Sequence, residues 1–391
     1  MKICDITQFY SPLSGGVKRY VHEKIAYIRE ARPGDEHVLI VPGAKTECIE
    51  NAQSRIYSIA SPLLSRTSRY RALLNLRAVE EVFEREKPSL IEAGDPYQTA
   101  WKAIASGKAL GVPTVGFYHS HFPEAYLRSS AKLLGRKATE AVMDLARRYV
   151  RNLYNNFAAT LVPSPLLAQL LCEWGVGNAH IVNLGVNEKI FRPTPDDAAQ
   201  TRAELGIPNG RCLLLYVGRL AKEKNTLTLF KAFDLLSQRA PEKFHLLVVG
   251  DGLQRDALGE LQDKTKKVTR LSYCADSPQL AKFYRAADVF VHPGVQETFG
   301  LVALESQACG TPVVGIAGSY MDRVILHHQE EWARENSAGA LARAIEEIAE
   351  QDLAALGVKA SQLVDERYSW RCAFQRLFCL YEEVCANYKA A

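Results

Sequence analysis

Short apolar runs alternate with longer stretches of helical periodicity along the whole chain. Candidate strands fall at Lys2–Thr7, His37–Val41, Leu90–Ala93, Thr114–His119, Ala159–Val162 and Ile181–Asn183. A second series follows at Cys212–Val217, His245–Val249, Val268–Ser272, Val289–His292 and Pro312–Gly315. Helix-length patterns lie between them, such as Val17–Glu30, Ala72–Glu86, Ala131–Asn155, Thr226–Gln238, Ser277–Ala286, Leu301–Ala308 and Ala338–Glu350. Strands alternating with helices predict parallel sheets, and two such series predict an α/β protein of two doubly wound, Rossmann-like domains. The break falls at FRPTPDDAAQTRAELGIPNG, residues 191–210, where Pro193, Pro195 and Pro208 with Gly206 and Gly210 interrupt both periods. Residues 1–193 are expected to form the first domain and 194–368 the second. Facing each other, the two would leave a ligand cleft lined by the carboxyl ends of both sheets.

Composition narrows this only a little. The 391 residues are 47% hydrophobic and 24% charged, which excludes disordered, fibrous and disulfide-scaffold classes. A net charge of +4 is too mild to imply nucleic acid, and no nucleic-acid partner is expected. The nine cysteines form no CxxC pair, which points to a reduced compartment and away from a thiolate zinc site. MKICDITQFYSP contains no signal-peptide core, and no apolar run approaches the roughly eighteen residues of a membrane span. A cytoplasmic chain is expected, with contact to the cytosolic face of a membrane left open. Residues 128–151 carry seven cations (Arg128, Lys132, Arg136, Lys137, Arg147, Arg148, Arg151) against Glu140 and Asp144. Leu134, Ala138, Ala141, Leu145 and Tyr149 recur there at helical spacing. This segment is either a solvated face stitched by Asp144–Arg148 or a surface for anionic lipid or an acidic acceptor. Arg66, Arg69, Arg71 and Arg77 add positive charge in the same half.

Three loops carry candidate chemistry. In SPLSGGVKRY, Gly15 and Gly16 precede a helix, either as a plain turn or as a close approach to an anion at the helix N-terminus. In YVGRLAKEKNTLTLFKAF, Arg219 and Lys224 flank a polar loop between strand and helix, either solvated or clamping a diphosphate. The richest stretch is FVHPGVQETFGLVALESQACGTPVVG, residues 290–315. Glu297 lies in its loop, and Glu305 follows eight residues later on a helix, with Gly300 as the joint between them. Amides around Thr298–Gly300 would face a phosphate at that helix start. Glu305 sits amid Val302, Ala303, Leu304 and Ala308, so its carboxylate needs a partner. Gly250–Asp251–Gly252 reads as a strand-end turn. Among nine histidines, His119 at a strand's carboxyl end is the one placed for chemistry, with His121 a candidate for acceptor contact. His22 and His245 read as structural, and His327 and His328 as surface residues. No Asp-x-Asp motif is present to hold a metal-bridged diphosphate.

Taken together, GRLxxEK followed by DVFVHPGxxETFGLVALESxACGTPVVG resembles the retaining glycosyltransferases of family 4, which have the GT-B fold. The GG turn, HSHFP at 119–123 and NLGVNEKIFRP at 183–193 agree with that family in order and spacing. The resemblance implies metal-independent, retaining transfer of a hexose from a nucleotide diphosphate sugar, of GDP-mannose or UDP-hexose type, to a hydroxyl acceptor. No cofactor and no covalent nucleophile are implied. Arg219 and Lys224 would neutralise the diphosphate, and Glu305 would hold the ribose. Glu297 would hold the donor sugar beside Thr298 and the amides of Phe299, Gly300 and Leu301. Gly15 and Gly16 would approach the phosphates, and His119 would touch the donor sugar at the reacting centre. Ser272, Tyr273 and Cys274 would frame the nucleobase. Residues 369–391 would cross back to the first domain, anchored by Tyr368, Trp370, Phe374, Phe378 and Tyr381. Three segments depart from the family pattern: Gly185–Val186–Asn187, His292–Pro293–Gly294, and the donor loop Ala317–Asp322. The last keeps cyclitol coupling and sugar phosphorolysis open as alternative chemistries on the same scaffold.

Overall fold

The apolar runs of the first half build a sheet wider than their number predicts. In the computed structural model, which describes all residues except 12–15, 65–68, 120–122, 124–134, 195–197, 296–298, 319–323, 326–331 and 391, the chain divides into two compact units. The first comprises Met1–Leu184 with Trp370–Ala391, the second Gly185–Ser369.

The first unit holds eight strands: β1 (Lys2–Ile6), β2 (Glu36–Gly43), β3 (Glu47–Asn51), β4 (Ser54–Ala60), β5 (Leu90–Ala93), β6 (Thr114–Phe117), β7 (Ala159–Val162) and β8 (Ala179–Ile181). They lie in the order β3-β4-β2-β1-β5-β6-β7-β8, parallel throughout except for β3, which runs antiparallel to β4. Ile3, Cys4, Val38, Leu39, Leu90, Ile91, Val115, Phe117 and Leu161 are buried, as continuous apolar runs in a sheet covered on both faces should be. Sequence reading missed the β3–β4 hairpin for a physical reason. Every β3 residue is exposed, so no buried face imprints an alternation on ECIEN.

The second unit holds β9 (Cys212–Val217), β10 (Phe244–Val249), β11 (Val268–Leu271), β12 (Val289–His292) and β13 (Val313–Gly315), all parallel in the order β11-β10-β9-β12-β13. Phe230, Phe233 and Leu236 of the Thr226–Arg239 helix share a core with Leu341, Ile345 and Ile348 of the Ala338–Ile348 helix. The division between units falls at 184/185 rather than at the expected 193/194. Phe191 is buried against Tyr284 at 6.0 Å, and the Val186 amide donates to the Tyr368 carbonyl, so residues 185–193 fold with the second unit.

The C-terminal helix (Trp370–Ala390) belongs to the first unit and packs on the N-terminal helix (Gly16–Ala31). Trp370 stacks on Phe374 at 5.0 Å, and Phe374 and Phe378 each meet Tyr27 at 5.5 Å. Tyr368 is corrected from that anchoring group: it stays in the second unit with its ring against Phe299. The described part of the basic segment forms a helix over Arg136–Tyr154, while Arg128, Lys132 and Leu134 lie outside the described residues. Its buried face is Thr139, Met143, Ala146, Val150, Leu153 and Tyr154. Leu145, assigned to the apolar stripe by spacing, is instead 68% exposed among the cations.

Candidate active site

Because every strand of the second sheet is parallel, the loops after their carboxyl ends emerge on one edge. After β9 come Arg219 and Lys224, as the spacing required. The Tyr216 hydroxyl donates to the Arg219 carbonyl at 2.9 Å, and the Arg219 guanidinium pairs with Glu223 at 3.2 Å. The Gly250–Asp251–Gly252 turn after β10 braces the same loop. Gly250, at φ +152°, leaves no room for a Cβ, which would lie 2.0 Å from the Gly218 carbonyl oxygen. The Leu220 amide donates to Asp251, and the Gln254 amide donates to Leu220, both at 3.0 Å. Lys224 ends the short turn Lys222–Lys224, and Asn225 follows in the left-handed region at φ 57°.

Asn225 then joins this loop to its neighbour. Its side-chain amide donates to the Pro293 carbonyl, just beyond β12, at 2.8 Å and to Asn336 at 2.7 Å. The loop after β9 is thereby tied to the entry of the segment that carries Glu297. Glu297 and Thr298 themselves lie outside the described residues. Phe299 is buried, and Gly300, left-handed at φ 83°, opens the Leu301–Ala308 helix, whose first-turn amides suit an anion. Glu305, on that helix, is 1% exposed. The partner its apolar neighbours demanded is Tyr284, whose hydroxyl donates to Glu305 Oε2 at 3.1 Å. Ser272, Tyr273 and Cys274 follow the edge strand β11; Ser272 and Tyr273 are exposed, and the Cys274 thiol donates to the Asp276 carbonyl at 3.3 Å.

In the first unit, Gly16 is the first residue of its helix, while Gly15 and His121 lie outside the described residues. His119 follows β6 on the carboxyl edge. Its ring stacks on Phe117 at 3.8 Å and meets the edge of Tyr20 at 5.1 Å. Burial pushes its pKa down to about 3, with the nearby Lys24 charge adding to the shift against Asp5. The imidazole is therefore neutral at physiological pH.

Behind it lies a buried polar network that sequence reading missed. Lys24, 0% exposed, contacts Asp5 at 2.9 Å and Glu92 at 3.1 Å and donates to the Tyr381 hydroxyl at 3.0 Å. Tyr20 and Tyr381 both donate to Glu92, and His37 bonds Asp5 at 3.0 Å. Burial would raise the Asp5 carboxyl, but Lys24 and His37 hold it below the usual carboxylate range. Burial, reinforced by Asp5 and opposed by Lys24, raises Glu92. The one available signal was Lys24 itself, one helical turn beyond Tyr20. The structural readings of two histidines agree with their bonds: His22 pairs with the Tyr10 hydroxyl and His245 with Thr269. Among the described residues no group of three or more His, Cys, Asp or Glu is arranged to hold a metal ion, and no helix is long and apolar enough to cross a membrane.

Two Rossmann-like units with this loop chemistry define a glycosyltransferase of the GT-B fold. The Glycosyltransferase Family 4 model matches residues 14–189 and the Glycosyl transferases group 1 model matches 197–362, and the chain belongs to this family. It is 29% identical over 384 residues to a GDP-mannose-dependent α-(1-6)-phosphatidylinositol dimannoside mannosyltransferase of Mycobacterium tuberculosis, covering 96% of this chain and 91% of that protein. It is 33% identical over 298 residues to a D-inositol 3-phosphate glycosyltransferase of Thermobispora bispora, covering 70% of this chain and 65% of that one. Among solved structures, sucrose-phosphate synthase from Thermosynechococcus elongatus superposes with a TM-score of 0.76 at 23% identity, over 99% of each chain. Anabaena HepE in complex with UDP-glucose superposes at 0.74 and 18% identity, over 98% of this chain and 100% of that one.

Proposed function

We propose that the chain transfers a hexose, with retention of configuration and without a divalent metal, from a nucleoside diphosphate sugar to a hydroxyl acceptor. The observation that carries this reading is the arrangement on one sheet edge: Arg219 and Lys224 after β9, tied through Asn225 to the loop after β12, with buried Glu305 on the helix beyond. Two cations suit a diphosphate whose charge grows as it departs. A fixed carboxylate suits a vicinal diol. The acceptor hydroxyl would add to the anomeric carbon on the face from which the phosphate oxygen leaves, and that oxygen would take the acceptor's proton. His119, Gly15 and Gly16 are assigned to the donor sugar and phosphates, Glu297 with Thr298 to the sugar, and Ser272–Cys274 to the base. His121 is assigned to the acceptor.

The relatives' names favour GDP-mannose or a UDP-hexose as donor and a polyol or lipid head group bearing phosphate as acceptor. An anionic acceptor fits the basic helix Arg136–Tyr154, which we assign to peripheral contact with anionic lipid at a cytosolic membrane face. The deciding experiment is thermal shift and titration with UDP, GDP and ADP, each with and without EDTA. Stabilisation by one nucleotide, unaffected by EDTA, is expected; stabilisation by none overturns the proposal. Lys224→Ala should reduce kcat/KM by the equivalent of roughly 2–4 kcal/mol.

A further inference from the structure

Tyr284 lies near the C-terminus of the Ser277–Ala286 helix, whose N-terminus follows the loop Ser272–Cys274. It is 0% exposed and held from three sides. Its ring meets Phe290 of β12 at 5.7 Å and Phe191 at 6.0 Å, and its carbonyl accepts from the Thr311 hydroxyl at 2.6 Å. Thr311 lies in the turn that ends the helix carrying Glu305. A phenol fixed so firmly has one hydroxyl direction, and that hydroxyl donates to Glu305 Oε2 at 3.1 Å. A carboxylate on a three-bond side chain is otherwise free to turn about its last torsion, because sp³–sp² rotation is broad. One charged-acceptor hydrogen bond from a rigid donor removes that freedom.

We infer that Tyr284 is the positioning residue that sets the orientation of the Glu305 carboxylate, and that this orientation makes the site select ribonucleotides over deoxyribonucleotides. The inference rests on the reading of Glu305 as the group that takes the ribose hydroxyls. A vicinal diol donates two hydrogen bonds in a fixed relative direction, so it gains from a carboxylate held in one plane. A sugar lacking one hydroxyl leaves an acceptor position unmatched and gains less. Tyr284 touches no substrate in this scheme; it acts through Glu305.

The test measures the Kd of GDP or UDP, whichever the parent binds more tightly, against its 2′-deoxy counterpart. The parent should favour the ribonucleotide by about tenfold or more, the scale of a hydrogen bond to a charged group. Glu305→Gln should collapse that ratio to within about threefold, and Tyr284→Phe, which keeps the ring packing, should collapse it likewise. A general loss of fold in Tyr284→Phe would weaken both nucleotides equally and leave the ratio standing, and that result overturns the inference. A collapsed ratio in Glu305→Gln with the parent's ratio in Tyr284→Phe also overturns it, while sparing Glu305 as the ribose residue. The parent's ratio in Glu305→Gln overturns the Glu305 reading itself. Should Tyr284→Phe prove too unstable to titrate at ambient temperature, the same ratio is read on ice in glycerol, where a collapsed ratio supports the inference and the parent's ratio overturns it.

Discussion

Asn225 and Pro293 are joined by a single hydrogen bond of 2.8 Å, and through it the loops after β9 and β12 hold one geometry. Asn225 occupies the left-handed region at φ 57°, where asparagine is tolerated because its short side chain bonds locally. Here Oδ1 accepts from the Thr228 hydroxyl at 2.7 Å while the amide reaches across to Pro293 and Asn336.

Asn225→Gly separates backbone from side chain. Glycine keeps the left-handed conformation and removes the bonds, each worth about 0.5–1.5 kcal/mol. The expected outcome is a stability loss of about 1–4 kcal/mol, read as a Tm several degrees below the parent's, with nucleotide affinity lowered several-fold. Asn225→Ala should fall further in stability, by about 1–2 kcal/mol of left-handed strain. Nucleotide binding by Asn225→Gly at the parent's level would remove Asn225 from the site's support.

Eleven of the thirteen strands and the loops bearing Arg219, Lys224 and Glu305 were legible because buried parallel strands read as unbroken apolar runs. An acid on an apolar helix stands out in the same way. What was not legible lacked such an imprint. β3 faces solvent on every residue, and Leu145 continues an apolar spacing yet points away from the core. The Lys24 network joins residues from positions 5 to 381, and only the fold shows that a lysine and two carboxylates share one buried space. The unit boundary moved because Phe191 finds its pocket beside Tyr284, a preference of packing that prolines in the sequence do not reveal.

Lys24→Ala should destabilise the first unit strongly. The lysine lies between Asp5 and Glu92 at 0% exposure, so its loss leaves two carboxylates buried together. Breaking a buried pair by removing one partner costs about 3–5 kcal/mol. Urea unfolding checks this, and Lys24→Met combined with Glu92→Gln should recover part of the loss by removing one stranded charge. A single variant as stable as the parent would show the network to be dispensable.

Stability should fall on mild acidification, and His245 should account for part of the slope. Burial, helped by the Arg211 charge, pushes its pKa down to about 4, whereas an unfolded histidine titrates near 6.5. The unfolded chain therefore binds the extra proton in this interval. The stabilisation is complete above about pH 6.5 and is lost as pH falls toward 4, at no more than about 1.4 kcal/mol per pH unit. Glu92, raised by burial, acts in the opposite sense, so the quantity to read is the difference between parent and His245→Gln. Urea unfolding at pH 7 and pH 5 should show a smaller loss in the variant, and parallel losses would contradict the assignment.

Within Arg136–Tyr154, Arg136, Lys137, Arg147, Arg148 and Arg151 stand against Glu140 and Asp144, and Leu145 is exposed among them. Three of the cations have local partners: Arg136 with Glu140 at 3.1 Å, Arg148 with Asp144 at 2.7 Å, and Arg147 over the Trp174 ring at 5.9 Å. Such exposed pairs contribute little, so they leave the cations available to a stronger field. An anionic bilayer supplies that field at about 1 kcal/mol per cation near its surface, and a protruding leucine adds apolar contact. The parent should sediment with vesicles containing phosphatidylserine at low salt, less so at physiological salt, and not with phosphatidylcholine alone. Arg136→Glu, Lys137→Glu and Arg148→Glu together should abolish recruitment while leaving the thermal shift with nucleotide intact. If the helix is only a solvated face, the parent will ignore both vesicle types and the triple variant will differ from it by no more than a small change in Tm.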